Sequence, residues 1–453
     1  MCGPPTRRKR IALYCHSIAP SVDGVCRRFS GILRELVKDH QVVLFTLETE
    51  PEDIPHDELL DIITIDHISL WYYPGKKISV PSMRSWIRIL RALWKHKPDI
   101  VHVTADGLSQ FFAMAGYFTG VATVGSFHTD LVDLLTVLKA SAFQLWCVKT
   151  KESVDNYALD SCATTSVSFK EKLLTQGLDC EHVIITAVDG DTFAPGKKDA
   201  AMRNELTFGN PDGYLCVYAG RVSQEKRLEL VIEAVQSMDN VYLAIVGDGP
   251  AASHYATMHS KEKRIYCKPR FLDHSELAKV YASSDVHVSA SIFETLGNTV
   301  LEAFSCGIPV VVPRTQGFVN TVTHNETGLF FEPGNVDDCR KQLEKLRADP
   351  KLRARMGKKA RAAMKERTTT RVVEDLLAWY SRALDTRHKR SWIKHILIFL
   401  YLSLTVPFTT FVYNATYVAT AVMLFFGFQG PFIFPDLNSN DPKGFGEETK
   451  KLK

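Results

Sequence analysis

Two glutamates eight positions apart, Glu294 and Glu302, stand in the run Phe293-Glu-Thr-Leu-Gly-Asn-Thr-Val-Leu-Glu-Ala303. A carboxylate accepts paired hydroxyls, and a helix start offers unpaired backbone N–H groups to an anion. Glu294 precedes the expected helix, and Gly297 lets backbone amides come close to a ligand. Leu296, Gly297 and Asn298 form the turn where those amides would meet phosphate. Glu302, farther along, suits the paired hydroxyls of a ribose, and Glu294 suits the hydroxyls of a sugar being moved. An ordinary helix with an acidic first turn would look the same.

The opposite charge comes one motif earlier. Gly220-Arg-Val-Ser-Gln-Glu-Lys226 follows the strand-like Leu215–Ala219, so Arg221 and Lys226 flank a loop between a strand and a helix. Two fixed cations there suit a diphosphate, which is anionic and a good leaving group. Two weaker signals lie near the start. Asp23-Gly24-Val-Cys-Arg-Arg28 sits between a strand and a helix, where Gly24 permits close backbone approach. Ser126-Phe-His128-Thr-Asp130 places a histidine at the carboxyl end of a strand, which is a site position only if it faces the same cleft. Asp189-Gly-Asp191 resembles a metal-binding pair but has no companion ligands at metal spacing. Asn325-Glu-Thr327 and Asn414-Ala-Thr416 match the glycosylation pattern, but a cytosolic position for the first and a membrane position for the second would leave both unused.

The elements that must hold these residues alternate between strand and helix. Arg10–Tyr14, Gln41–Leu47, Ile100–Val103 and Thr123–Ser126 read as strands, with a helix over Val25–Lys38. A turn-rich stretch, Val188–Lys198, separates them from a second series. That series has strands at Leu215–Ala219, Val241–Val246, Val286–Ala290 and Val310–Val312, and a helix at Leu228–Met238. The pattern predicts an α/β chain of two doubly wound domains facing a cleft, with ligands beyond the carboxyl ends of the strands. The expected divisions are residues 1–195, 196–365, a charged helical segment 366–391, a hydrophobic membrane segment 392–430 and a polar tail 431–453. Val336–Ala383 reads as helical with little apolar stripe before Val372.

Composition bounds the class. The chain has 453 residues, 45% hydrophobic and 23% charged, with a formal net charge of +4. These values describe a globular protein of two or three domains and carry no nucleic-acid footprint. Ten cysteines show no CxxC or zinc spacing and read as small buried hydrophobes in a reducing compartment. Residues 396–428 carry no charge over 33 positions, more than the ~20 that span a bilayer. Arg387, Lys389, Arg390 and Lys394 precede that run and place its start in the cytosol by charge bias. One tilted span and a re-entrant hairpin broken at Pro407 both fit. The terminal Lys450-Lys-Leu-Lys453 resembles a dilysine endoplasmic reticulum retrieval signal, and a plain basic end reads the same way.

Taken together, the motifs resemble glycosyltransferase family 4, retaining enzymes of the GT-B fold. Gly220-Arg221…Glu225-Lys226, Val246-Gly-Asp-Gly-Pro250, Glu294-x7-Glu302 and Glu302-Ala-Phe-Ser-Cys-Gly-Ile-Pro-Val310 follow that family in order and spacing. So does Val188-Asp189…Phe193-Ala-Pro195, which turns the Asp pair into an interdomain signature. Ser-Phe-His128-Thr and Glu294-Thr-Leu-Gly are most similar to the sulfoquinovosyl- and mannosyltransferase branch, which acts on lipid acceptors. The likeness runs from about Arg10 to Ala383 and says nothing of the tail.

The resemblance implies a UDP- or GDP-sugar donor, a hexosyl group (mannosyl, glucosyl or sulfoquinovosyl), an acceptor that is a membrane lipid, and no metal. It implies that Arg221 and Lys226 neutralise the departing diphosphate and that Glu302 holds the ribose and Glu294 the donor sugar. His128 would line the acceptor side, and Gly24 would approach phosphate or sugar. Two departures stand out: Ala187 replaces a usual glycine, and Asp23-Gly24 replaces a frequent glycine pair. Transfer to a soluble or protein acceptor, with the tail serving only localisation, and a silent GT-B scaffold are the competing readings.

Overall fold

Strands buried on both faces have near-continuous apolar sequence, and that is what makes a parallel sheet. Ile11–Cys15 and Tyr214–Ala219 are buried throughout, and each lies in the middle of its own sheet. The computed structural model describes residues 8–389 and Leu400, apart from 20–22, 50, 52–56, 70–76, 81, 106–107, 138–140, 293 and 316.

The first sheet contains β1 (Arg10–Cys15), β2 (Gln41–Thr46) and β3 (Leu60–Thr64), while β4 (His67–Ser69) and β5 (Lys77–Ser79) form a separate antiparallel pair. It continues with β6 (Ile100–Thr104), β7 (Ala122–Ser126), β8 (Ser161–Thr164) and β9 (His182–Val183). Its order is β3-β2-β1-β6-β7-β8-β9, all parallel. The second sheet contains β10 (Tyr214–Ala219), β11 (Val241–Val246), β12 (Ile265–Cys267), β13 (Val286–Val288), β14 (Val310–Pro313) and β15 (Gly328–Phe331). Its order is β12-β11-β10-β13-β14-β15, again parallel. In each sheet the chain runs outward from a central strand and returns on its other side. The switch points, β1/β6 and β10/β13, are where such sheets open a crevice.

The first domain carries α1 (Gly24–Asp39), α2 (Met83–His96), α3 (Ser109–Thr119), α4 (Leu131–Val137), α5 (Ala142–Ala158) and α6 (Val167–Thr175). The second carries α7 (Ala200–Leu206), α8 (Leu228–Gln236), α9 (Ala252–Ala256), α10 (His274–Ala282), α11 (Asn298–Ser305), α12 (Phe318–Thr321), α13 (Val336–Ala348) and α14 (Pro350–Ala363). The stretch expected to lack an apolar stripe has one. Cys339, Leu343 and Leu346 recur at helical spacing and are fully buried, with Met356 and Ala360 after them. Long Lys and Arg side chains on the opposite faces hide that pattern in the sequence.

The last described helix, α15 (Thr369–Lys389), leaves the second domain and packs beside α1 on the first. Trp379 and Tyr380 are fully buried there, and the Trp379 indole N–H donates to Ser161 Oγ at 2.9 Å. The membrane segment expected over 392–430 lies outside the described residues except for Leu400. Among the described residues no helix is long and apolar enough to cross a membrane.

Candidate active site

The loops after β10 and β13 meet at the carboxyl ends of the second sheet. After β10, Gly220 turns the chain, and the Tyr218 hydroxyl donates to the Arg221 carbonyl at 2.6 Å, fixing the loop. This leaves Arg221 exposed and Lys226 in a short 3-10 turn. The Lys226 ammonium forms an ion pair with Glu294 and lies 3.5 Å from Ser291 Oγ. Both partners are largely shielded, so the pair is a fixed feature of the site and not a fluctuating surface contact.

Glu294 is held from behind. Gly317 N–H donates to its carbonyl at 2.7 Å, and Thr321 Oγ1 donates to the Leu296 carbonyl at 2.8 Å. Gly297 then adopts φ of +83° and starts α11. A β-carbon there would come within 2.8 Å of Phe318, so backbone and packing both demand glycine. Asn298 opens the helix, and its side-chain oxygen is buried with no hydrogen-bond partner among the described residues. A β-carbon on Gly24 would stand 2.8 Å from Asn298 Nδ2, so Gly24 lets the two domains touch.

Glu302, one turn down α11, is only 6% exposed. It receives an ion pair from Arg27 of the other domain and a hydrogen bond from the Tyr281 hydroxyl at 3.2 Å. The Glu302 carboxylate in turn raises Arg27 further above the usual guanidinium range. Arg27 sits in the first turn of α1, a turn without acidic residues. Cations at a helix N-terminus oppose the dipole, so Arg27-Arg28 in that position was the available signal for two site residues that motif spacing missed. Asp23 caps the same helix, accepting from Val25 and Cys26 N–H at 3.0 and 2.9 Å. An N-cap carboxylate therefore occupies the place of the first glycine of the expected pair, and Gly24 keeps the second.

His128 lies at the cleft, as the chain leaves β7, with its carbonyl accepting from Thr295 Oγ1 of the second domain at 3.2 Å. Its ring does not point freely outward. Arg28, which can only donate, meets Nδ1. Nε2 must then carry the proton and donate to Ser126 Oγ at 2.7 Å. Ser126 donates onward to His102 Nε2 at 2.8 Å, and His102 Nδ1–H to the Tyr380 hydroxyl at 2.7 Å. Burial first, then Arg28, His102 and His16, push His128 well below the usual imidazole range, so it is neutral. Burial and the nearby Arg367 bring Arg28 down to about 10, still charged at neutral pH. Of the expected residues, Lys226, Glu294, Leu296, Gly297, Asn298, Glu302, Gly24 and His128 converge on the cleft, and Arg221 lies on the exposed loop beside them.

Asp189 forms a turn, accepting from Asp191 and Thr192 N–H at 3.0 Å and from Thr192 Oγ1 at 2.6 Å. Among the described residues no group of three or more His, Cys, Asp or Glu side chains is arranged around a metal position. Among the described residues nine cysteines form no disulfide, and all but Cys147 are buried.

Known proteins share this architecture. Residues 22–185 match the pattern of Glycosyltransferase Family 4, and residues 203–363 that of Glycosyl transferases group 1. The chain is 30% identical over 372 residues to the sulfoquinovosyl transferase of Arabidopsis thaliana, covering 79% of this chain and 70% of that one. It is 28% identical to a GDP-mannose-dependent alpha-mannosyltransferase of Mycobacterium tuberculosis, over 74% and 86% of the two chains. It is 23% identical to the alpha-monoglucosyldiacylglycerol synthase of Acholeplasma laidlawii, over 84% and 99%. The crystal structure of Anabaena HepE in complex with UDP superposes with a TM-score of 0.66 at 16% identity, over 83% of this chain and all of that one. Two parallel sheets with their switch points facing one cleft, and motifs matched over both halves, place the chain in glycosyltransferase family 4, as an enzyme of the GT-B fold.

Proposed function

We propose that the enzyme is a retaining hexosyltransferase that moves a mannosyl, glucosyl or sulfoquinovosyl group from a UDP- or GDP-sugar to a hydroxyl of a membrane lipid. One observation carries the reading: Lys226 and Glu294 meet across two loops at the second sheet's switch point, directly opposite the start of α1. The relatives' names support the sugar and acceptor classes, since they include GDP-mannose as donor and a diacylglycerol product. In this scheme Arg221 and Lys226 bind the diphosphate, Glu302 the ribose hydroxyls, and Glu294 the hydroxyls of the transferred sugar. The N–H groups of Leu296, Gly297 and Asn298 face the phosphate at the helix start.

The bond from the anomeric carbon to the phosphate oxygen breaks as the acceptor oxygen bonds to the same face of that carbon. The acceptor's proton passes to the departing phosphate oxygen. Catalysis then rests on positioning and on cations that stabilise the diphosphate, and no resident metal is part of the scheme. Neutral His128, held by Arg28 and Ser126, offers its carbonyl and ring edge as a wall beside the reacting carbon. In this reading the protein anchors its catalytic domains on the cytosolic side of a membrane.

The test is a thermal-shift screen against UDP-, GDP- and ADP-sugars, because preferential binding to the folded state raises its apparent stability. Transfer to lipid is then followed with the donor found, with and without a metal chelator, and the product anomer read by NMR. An inverted anomer, or loss of transfer on chelation, would refute the corresponding part. A protein stabilised by nucleotide that never turns over its sugar would support the silent scaffold instead.

A further inference from the structure

Helices α2, α3 and α5 lie side by side over one face of the first sheet. The buried side of α2 is Ser85, Ile89, Ala92 and Leu93. Its opposite side does not become purely polar. Met83 is 72% exposed and Trp94 59% exposed, with Ile87 between them, and the intervals 83, 87, 91, 94 put these with Arg91 on a single stripe. At the start of α5, Phe143 and Trp146 are both about half exposed, with rings stacked 6.0 Å apart. Residues Ala142–Lys151 of that helix include no buried side chain, although the stretch reads Ala-Phe-Gln-Leu-Trp-Cys-Val. Phe118 at the end of α3 and Tyr157 on α5 complete the surface. These three helices hold half of the exposed large apolar side chains among the described residues.

The exposed charges carried by the three helices themselves have one sign, and the nearest outside carboxylates, Asp61 and Asp66, are paired with Lys95, His96 and Arg88 of α2. Arg84, Arg91 and Lys149 are exposed, and the only carboxylates on the three helices, Glu152 and Asp155, are buried. Trp and Tyr beside Lys and Arg is the composition that settles at the boundary between lipid headgroups and acyl chains. A protein or soluble-ligand surface would have no reason to keep unpaired carboxylates off these helices, whereas an anionic lipid surface does. The chain also leaves the described domain here. The Arg387 guanidinium, in the last turns of α15, stacks 5.3 Å over the Tyr117 ring, next to exposed Phe118. The sequence beyond it enters the uncharged run 396–428.

We propose that the α2–α3–α5 face is an interfacial docking surface that lies on an anionic bilayer. Trp94 and Trp146 enter the headgroup boundary, and Arg84, Arg91 and Lys149 rest against lipid phosphates. This binding is separate from sugar transfer and holds whichever acceptor the cleft takes. Because α5 follows the β7 end that carries His128, the docked face keeps the cleft close to the bilayer.

The test uses the full chain and vesicles of phosphatidylcholine with phosphatidylglycerol whose acyl chains carry bromine, which quenches tryptophan on contact. Wild type should be quenched, and the W94F/W146F variant should lose at least half of that quenching. R84E/R91E/K149E should weaken it only when phosphatidylglycerol is present. All these positions are on the surface, so unchanged thermal unfolding checks that the variants fold. Quenching that survives both replacements overturns the proposal and leaves the tail as the contact. So does shielding of Trp94 and Trp146 from acrylamide before vesicles are added, which assigns the face to a second copy or to residues 391–453.

Discussion

Lys226 and Glu294 form an ion pair, so in the proposed scheme a diphosphate would draw Lys226 toward itself and leave Glu294 to the sugar. Removing the cation should therefore harm the transition state more than the ground state. Lys226→Ala is expected to lower kcat/KM by about 10²–10³-fold, mostly in kcat, measured with saturating acceptor. Glu302 poses a sharper question, because Arg27 already occupies one of its oxygens. If Glu302 receives the ribose, Arg27 and nucleotide compete for the same carboxylate. Arg27→Met should then lower the melting temperature of the empty protein yet enlarge the rise produced by nucleotide. An equal rise in both proteins would mean that ribose does not bind there.

At the scale of elements, the site depends on a turn that only one residue type tolerates. Gly297→Ala must place a β-carbon at φ +83° and against Phe318. A cost of about 1–2 kcal/mol from the backbone alone is expected, read from denaturant midpoints. Nucleotide affinity should fall by more than stability does, because the α11 amides would be displaced. This turn was legible in the sequence, since a glycine between a carboxylate and an apolar helix has few other uses. So were β1, β2, β10 and β11, whose apolar runs are unbroken because both faces are covered. The buried stripe of α13 was not, since long charged side chains outnumber its three inward positions. The Arg28–His128–Ser126–His102–Tyr380 chain was not either. Its members come from five elements or loops, and no local spacing encodes their meeting.

Across the whole molecule, that chain predicts a pH response. Burial, and then His182, hold His102 down to about 3, against about 6.5 in an unfolded chain. Above pH 6.5 both states are neutral there and the group has no effect on folding. As pH falls from 6.5 toward 3 the unfolded chain takes up a proton that the native one refuses, and stability declines. This residue should add about 1.4 kcal/mol per pH unit to the slope, and His102→Gln should be shallower by about that amount in urea titrations at pH 6 and pH 5, the other buried histidines keeping the rest. Another whole-molecule consequence follows from α15. The chain passes between domains once before Pro195 and again before Thr369, and Val188 N–H donates to the Arg367 carbonyl at 3.0 Å where the two passages run together. Two linked crossings act as the pin of a door: the domains can swing about that line but cannot drift apart. Any swing about that line would have to break the Arg27–Glu302 pair and the Thr295–His128 bond on the far side of the cleft, which makes those contacts the latch of the door.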